Sequence, residues 1–175
     1  MSVDQSALRS LIRSIPDFPI PGILFRDVTP LLKDADGFRA AIDLMAGPYK
    51  DAHVDYVVAI EARGYILGAP IAYELGAGFI PVRKPGKLPF DKINVDYELE
   101  YGNNTLEMHA DAVANGERVL VVDDLLATGG TAAATGQLLR KFGAHVVGFA
   151  FLIELTALNG RAKLPGYDIR SFITY

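Results

Sequence analysis

Apolar residues along the chain follow two rhythms, and the switches between them outline a fold. Leu8, Leu11, Ile12 and Ile15 recur at helical spacing and predict a helix over residues 4–15, with Ser2 and Gln5 as a candidate capping box. "IPDFPIPGILFRD" then carries three prolines and a glycine, which predicts an extended loop. A second helix, capped by Asp36, buries Phe38, Ala41, Ile42 and Met45. Further on, short apolar runs at Tyr56–Ile60, Gly78–Val82, Val119–Val122 and Val146–Ile153 read as strands. Helical patterns from Tyr65 to Leu75 and from Thr131 to Phe142 separate them, each followed by a glycine, Gly76 and Gly143, that suits a helix C-terminus.

Strands that are apolar on both faces must be covered on both sides, so the sheet is expected to be largely parallel and flanked by helices. One segment breaks this rhythm. In "NVDYELEYGNNTLEMH" Val95, Tyr97, Leu99 and Tyr101 alternate with Asn94, Asp96, Glu98 and Glu100, and Gly102-Asn103-Asn104 supplies turn residues. That predicts an antiparallel hairpin attached to the sheet. The expected fold class is α/β, one domain of 175 residues, with an appended hairpin.

Composition narrows the setting. The longest apolar stretch, Val146–Ile153 with Gly148 counted, falls far short of the roughly 18–20 residues that span a bilayer. The N-terminus has Asp4 and no cationic lead into an apolar block, so the expectation is a cytoplasmic protein without a membrane partner. The absence of cysteine rules out disulfides and thiolate metal sites. A net charge of −4 argues against nucleic acid as a partner and requires any anion site to be local. One basic cluster stands out, Arg83, Lys84 and Lys87 in "VRKPGKLP".

Two strand-to-helix junctions carry candidate chemistry, because ligands of open parallel sheets bind beyond the carboxyl ends of the strands. In "VLVVDDLLATGGT" the small residues Ala127, Thr128, Gly129, Gly130 and Thr131 lie just before a helix. Glycines let backbone N–H groups close on an anion and the helix N-terminus favours it, so a single phosphate fits. The spacing matches neither GxxxxGK[ST] nor GxGxxG. Asp123 and Asp124, placed at the end of a buried strand, suit ribose hydroxyls, which need acceptors, and can also help to hold a hydrated Mg²⁺. A receiver-like or phosphatase-like domain also puts carboxylates at strand ends, but the following loop suits a bound phosphate better than a transferred one. At the second junction, "AIEARGY", Arg63 and Gly64 open a helix and offer a second anion site, or else Arg63 is a surface or salt-bridge residue. Lys84 and Lys87 after the neighbouring strand favour the anion.

These features together resemble the type I phosphoribosyltransferase family, whose signature for 5-phosphoribosyl diphosphate is similar to residues 119–131. "FPIPGILFRDVTPLL", "RGY", "VRKPGKLP", "YELEYG…TLEMH" and "ELTALNGRAKL" resemble, in the same order, the members of that family that act on adenine. The resemblance implies a parallel sheet with a hairpin lid and a small base-binding hood to which residues 1–35 contribute, the loop and lid covering about 84–109. It implies that Ala127–Thr131 hold the 5′-phosphate and that Asp123 and Asp124 hold the ribose. Ala62, Arg63 and Gly64, with Glu61 before them, form the diphosphate loop, served also by Arg83, Lys84 and Lys87, part of them across a dimer interface. Leu24, Phe25, Arg26 and Leu155 lie at the adenine, and Leu24 and Leu155 offer no lysine or aspartate for the edge of an oxopurine. Glu100 is implied as acid/base, with Arg63 and Lys87 completing the catalytic set, and Tyr101 closes over the site. Read without the resemblance, Glu100 also reads as a solvated residue on the hairpin's polar face, and Lys84 and Lys87 as edge-protecting charges. The implied reaction consumes adenine and 5-phosphoribosyl 1-diphosphate and yields AMP and diphosphate, in a homodimer, with Mg²⁺ held mainly through the substrate's diphosphate and water.

Overall fold

In a computed structural model, which describes residues 5–99 and 102–175, the chain divides into two compact units, residues 1–44 and 45–175. The first unit departs from the sequence expectation at its start. Helix α1 (Gln5–Ser10) is short, and Arg13–Ile15 form strand β1, antiparallel to β2 (Phe25–Asp27). The reason is a cross-strand ion pair that a continuing helix would forgo: Arg13 Nη2 lies 2.6 Å from Asp27 Oδ2, with Arg13 opposite Asp27 in the register. The proline-rich stretch is therefore a hairpin connection with its first and last residues in strands. Of the candidate capping box, Ser2 lies outside the described residues.

Asp27 also accepts the Thr29 N–H at 2.9 Å and the Thr29 hydroxyl at 2.8 Å, at the entry to the short helix α2 (Thr29–Lys33). The Arg13 guanidinium, seconded by these donors, holds the Asp27 carboxyl below the usual carboxylate range. Helix α3 (Ala35–Ala46) buries Ala41, Ile42 and Met45 as expected, with Phe38 half-buried. Its cap is Asp34 and not Asp36: Asp34 Oδ1 accepts the Gly37 N–H at 2.7 Å, which leaves Asp36 in the first turn.

The second unit is built on a five-stranded, all-parallel sheet. Its strands are β3 (Tyr56–Ile60), β4 (Gly78–Val82), β7 (Arg118–Leu126), β8 (His145–Glu154) and β9 (Ile169–Thr174), in the order β4-β3-β7-β8-β9. Between β4 and β7 run β5 (Lys92–Leu99) and β6 (Gly102–His109), a separate antiparallel pair. Gly102, Asn103 and Asn104 therefore belong to the returning strand rather than to a turn, because the pairing already joins Leu99 to Gly102. The hairpin meets the sheet through a bridge in which the Arg83 and Glu107 backbones exchange hydrogen bonds of 3.0 and 2.8 Å.

Helix α4 (Arg63–Leu75) packs on β3 and β7, and α5 (Gly130–Phe142) packs on β8 and against the hairpin. Both end at the expected glycines, in the left-handed region. On the α5 side of the sheet Val58, Val121, Leu138, Phe149 and Phe151 form a buried core. β7 continues past Val122 because β8 continues beside it, pairing Asp123 with Phe151 and Leu126 with Glu154. Asp123 and Asp124 thus lie within the strand, not at its end.

Helix α4 approaches the sheet through Gly68, where a Cβ would stand 2.5 Å from the Ala59 Cβ and 3.3 Å from Phe79. Gly68→Ala is expected to lower stability by about 1–3 kcal/mol through overpacking, read as a lower midpoint in urea unfolding. An unchanged midpoint would show that the helix can lift without loss.

Candidate active site

β3 and β7 end at different heights. β3 pairs with β7 only as far as Ala59 and Val122, then leaves at Glu61, whereas β7 runs on beside β8. A cavity of about 450 Å³ opens in the gap. One wall is Ile60, Glu61, Ala62 and Arg63, and the opposite wall is Asp123, Asp124 and Leu125. Tyr97, Asn104 and Leu106 of the hairpin form a third side, and Lys84 reaches the rim. A smaller cavity of about 80 Å³, bounded by Asp123 and by Leu125–Ala132, shares Asp123, Leu125 and Thr131 with the larger one.

The small cavity is shaped by backbone. Gly129 takes φ +78° and starts α5, whose first turn is Gly130, Thr131 and Ala132, so the N–H groups there face the hollow that Ala127 and Thr128 enclose. A helix N-terminus of this form attracts a phosphate-sized anion. Tyr97 Oη lies 3.4 Å from Thr131 Oγ1, so the hairpin touches the loop from above.

The walls of the larger cavity hold paired charges. The Arg63 Nε donates to Asp124 Oδ2, and Asp124 is only 5% exposed. The Arg83 Nε donates to Glu61 Oε2 at 2.7 Å, and its Nη1 donates to the Lys87 carbonyl at 2.9 Å. Arg83 thus braces the basic segment from behind, Lys84 lines the cavity, and Lys87 is exposed and does not contribute to the lining. Gly64 is required by close approach: a Cβ there would stand 2.8 Å from Asp123 Oδ1 and 3.2 Å from the Val122 carbonyl oxygen. The Glu61–Ala62 peptide beside it is cis.

The structure therefore brings together Ala62, Arg63, Gly64, Lys84, Asp123, Asp124 and the Ala127–Thr131 loop. Leu155 follows β8, its N–H bonded to the Leu126 carbonyl at 2.9 Å, while Leu24, Phe25 and Arg26 belong to the first unit. Glu100 and Tyr101 lie outside the described residues. Sequence reasoning missed Asn104, taken for a turn residue, and the part of Tyr97, which the alternation marked only as apolar. His109, with its Nε2 2.9 Å from the Pro89 carbonyl oxygen, is a structural residue. Among the described residues no group of three or more His, Cys, Asp or Glu gathers as a metal cage, and no helix is long and apolar enough to cross a membrane.

The family described as "Phosphoribosyl transferase domain" matches residues 28–172. A relative from Acaryochloris marina, named adenine phosphoribosyltransferase, is 61% identical over 168 residues, which cover 96% of this chain and 99% of that protein. The crystal structure of adenine phosphoribosyltransferase from Thermoanaerobacter pseudethanolicus is 52% identical with a TM-score of 0.95, covering 98% of this chain and 99% of its own. The Saccharomyces cerevisiae enzyme, solved with adenine and an imino-altritol bisphosphate, is 37% identical with a TM-score of 0.92, covering 96% and 97%.

Asp123 differs from Asp124 in that no cation among the described residues forms an ion pair with it. Burial, reinforced by the neighbouring Asp124 carboxylate, pushes the Asp123 carboxyl well above the usual carboxylate range, against the opposing pull of the Asp124 N–H at 2.9 Å. An acid whose pKa is raised on folding favours the native state below its unfolded value and loses that contribution as pH rises through the raised one. An asparagine side chain in the same place cannot ionise. Asp123→Asn is therefore expected to gain stability over the wild type as pH is raised from about 5 to about 9, measured by urea unfolding without ligand. A difference that stays constant over that range would show that Asp123 is not held protonated.

Proposed function

The chain belongs to the phosphoribosyltransferase family, and from that premise we propose that it is a purine salvage enzyme that makes AMP and diphosphate from adenine and 5-phosphoribosyl 1-diphosphate. The observation that carries this reading is the pair of joined cavities. One is sized for a phosphate at a helix N-terminus, and the other has room for a sugar and a diphosphate between carboxylates and cations.

In this reading the Ala127–Thr131 loop holds the 5′-phosphate, and Asp123 and Asp124 accept from the ribose hydroxyls. Ala62, Arg63 and Gly64 with Lys84 take the diphosphate, and Arg83 holds the segment that presents Lys84 and Lys87. The Arg63–Asp124 pair is then an exchange waiting for substrate: the guanidinium passes to the diphosphate and the carboxylate to the sugar. Leu24, Phe25, Arg26 and Leu155 recognise adenine, and the hairpin, with Tyr101, excludes water.

Adenine N9 bonds to the anomeric carbon as the bond from that carbon to the diphosphate oxygen breaks, and the configuration inverts. The N9 proton passes to a base, the role assigned to Glu100. The chain's contribution is to hold both reactants in line and to stabilise the departing diphosphate through Arg63 and the basic segment.

Mg²⁺ would be held mainly through the substrate's diphosphate and water, since it keeps several waters and binds substrate phosphates, while Asp123 and Asp124 on the wall serve the ribose. When bound, it supplies charge neutralisation to the diphosphate. The enzyme is read as a cytoplasmic homodimer. Exposed Ile66 and Tyr73 on α4 and Phe79 on the edge strand offer apolar surface for a second copy, and the exposed Lys87 is available to the partner's site.

With Mg²⁺ and phosphoribosyl diphosphate, product is expected from adenine and little from hypoxanthine or guanine; equal rates with all three would overturn the specificity. Asp124→Ala is expected to raise the KM for phosphoribosyl diphosphate by about tenfold or more, since it removes a ribose acceptor and leaves Arg63 without its carboxylate. A normal KM would mean that the sugar lies elsewhere.

A further inference from the structure

Behind the Ala127–Thr131 loop, backbone meets backbone. A Cβ on Gly129 would stand 2.3 Å from the Gly160 carbonyl oxygen. A Cβ on Gly160 would stand 2.3 Å from the Ala127 carbonyl oxygen and 3.1 Å from the Gly129 nitrogen. Two facing glycines alone permit this approach. The loop's rear face is therefore set by wherever Gly160 is held.

Gly160 is held by its neighbour. Arg161 donates from Nε to Glu154 Oε1 at 2.8 Å and from Nη2 to Glu154 Oε2 at 2.7 Å. The same guanidinium reaches Ser171 Oγ at 2.8 Å and the Ile169 carbonyl at 2.9 Å, while the Ser171 hydroxyl donates to Glu154 Oε2. Both oxygens of this carboxylate thus have donors, and Glu154 is 5% exposed. A bidentate Arg–carboxylate pair fixes direction as well as distance. Glu154 also closes β8 opposite Leu126, the residue that leads into the loop, and the next N–H, of Leu155, bonds the Leu126 carbonyl.

We propose that Glu154 and Arg161 are positioning residues for the sugar phosphate: their ion pair presses Gly160 against Gly129 and so sets the loop's N–H groups for the 5′-phosphate. The proposal rests on the assignment of the phosphoribosyl group to that loop. The plain alternative is a clamp that only joins β8 to β9.

Wild type, Arg161→Ala, Arg161→Lys and Glu154→Gln are titrated calorimetrically with ribose 5-phosphate. The KM for phosphoribosyl diphosphate, kcat and thermal midpoint are measured on the same proteins. Arg161→Ala is expected to weaken ribose 5-phosphate and to raise that KM by about tenfold, as misplacing a binding loop by a fraction of an ångström does. kcat at saturation should change much less. Arg161→Lys, which keeps the charge but not the fork, should recover part of the affinity, and Glu154→Gln should fall between. A lower thermal midpoint with wild-type affinity in Arg161→Ala would overturn the proposal and leave a structural clamp. If Arg161→Ala does not fold, Arg161→Lys and Glu154→Gln carry the same comparison. Failure of the wild type itself to bind ribose 5-phosphate would overturn the loop assignment, and the proposal with it.

Discussion

Strand β7 keeps its hydrogen bonds to β8 for longer than it keeps them to β3, and the site follows from that difference. The ladder to β3 ends at Val122, and the ladder to β8 continues to Leu126. One side of β7 therefore stays fixed while the other is exposed to a gap. The gap falls where the chain order of the sheet reverses, with β3 leading outward to β4 and β7 leading the other way to β8 and β9. Open parallel sheets hold their ligands at such a point. Gly64 lets α4 begin close against Asp123, so the two walls face each other without a side chain between them.

Charge at this crevice is arranged locally in a chain whose net charge is −4. Arg63 is matched by Asp124 and Arg83 by Glu61, each across the gap or along its rim. A partly buried cation or carboxylate left alone is costly, and pairing lowers that cost while the cavity is without ligand. Among the described residues Asp123 has no such ion pair, and burial with a second carboxylate beside it raises its pKa. A carboxyl so perturbed on a cavity wall is a candidate for contact with a ligand.

Strands β3 and β4 were legible to the residue because each is a short apolar run bounded by polar or glycine positions. β7 was read too short, since two adjacent aspartates look like the end of a buried strand unless the length of its partner is known. β9 was missed because IRSFIT shows neither alternation nor a continuous apolar run, and its place comes from pairing with β8. The helix expected over residues 4–15 is seen only over Gln5–Ser10 for a related reason: Leu8 and Ile12 are buried as the spacing asks, but the partner of Arg13 is Asp27, fourteen positions on. The Ala127–Thr131 loop was visible in full as a motif. The contact between Gly129 and Gly160 was not, because nothing local to either glycine reports a neighbour so distant in the chain.

The hairpin shows how such distant contacts combine. At its base the Glu107 carboxylate, 7% exposed, accepts the Gly86 N–H at 3.1 Å and lies 3.2 Å from Lys92 Nζ, while its backbone bridges Arg83. The basic segment and the start of β5 are thereby tied to one buried acid. Further along, Tyr97 meets Thr131 of the Ala127–Thr131 loop, and Tyr97, Asn104 and Leu106 line the larger cavity. A ligand in that cavity would touch β3, β7 and the hairpin at once. The hairpin is thus the third wall of the cavity rather than an appendage.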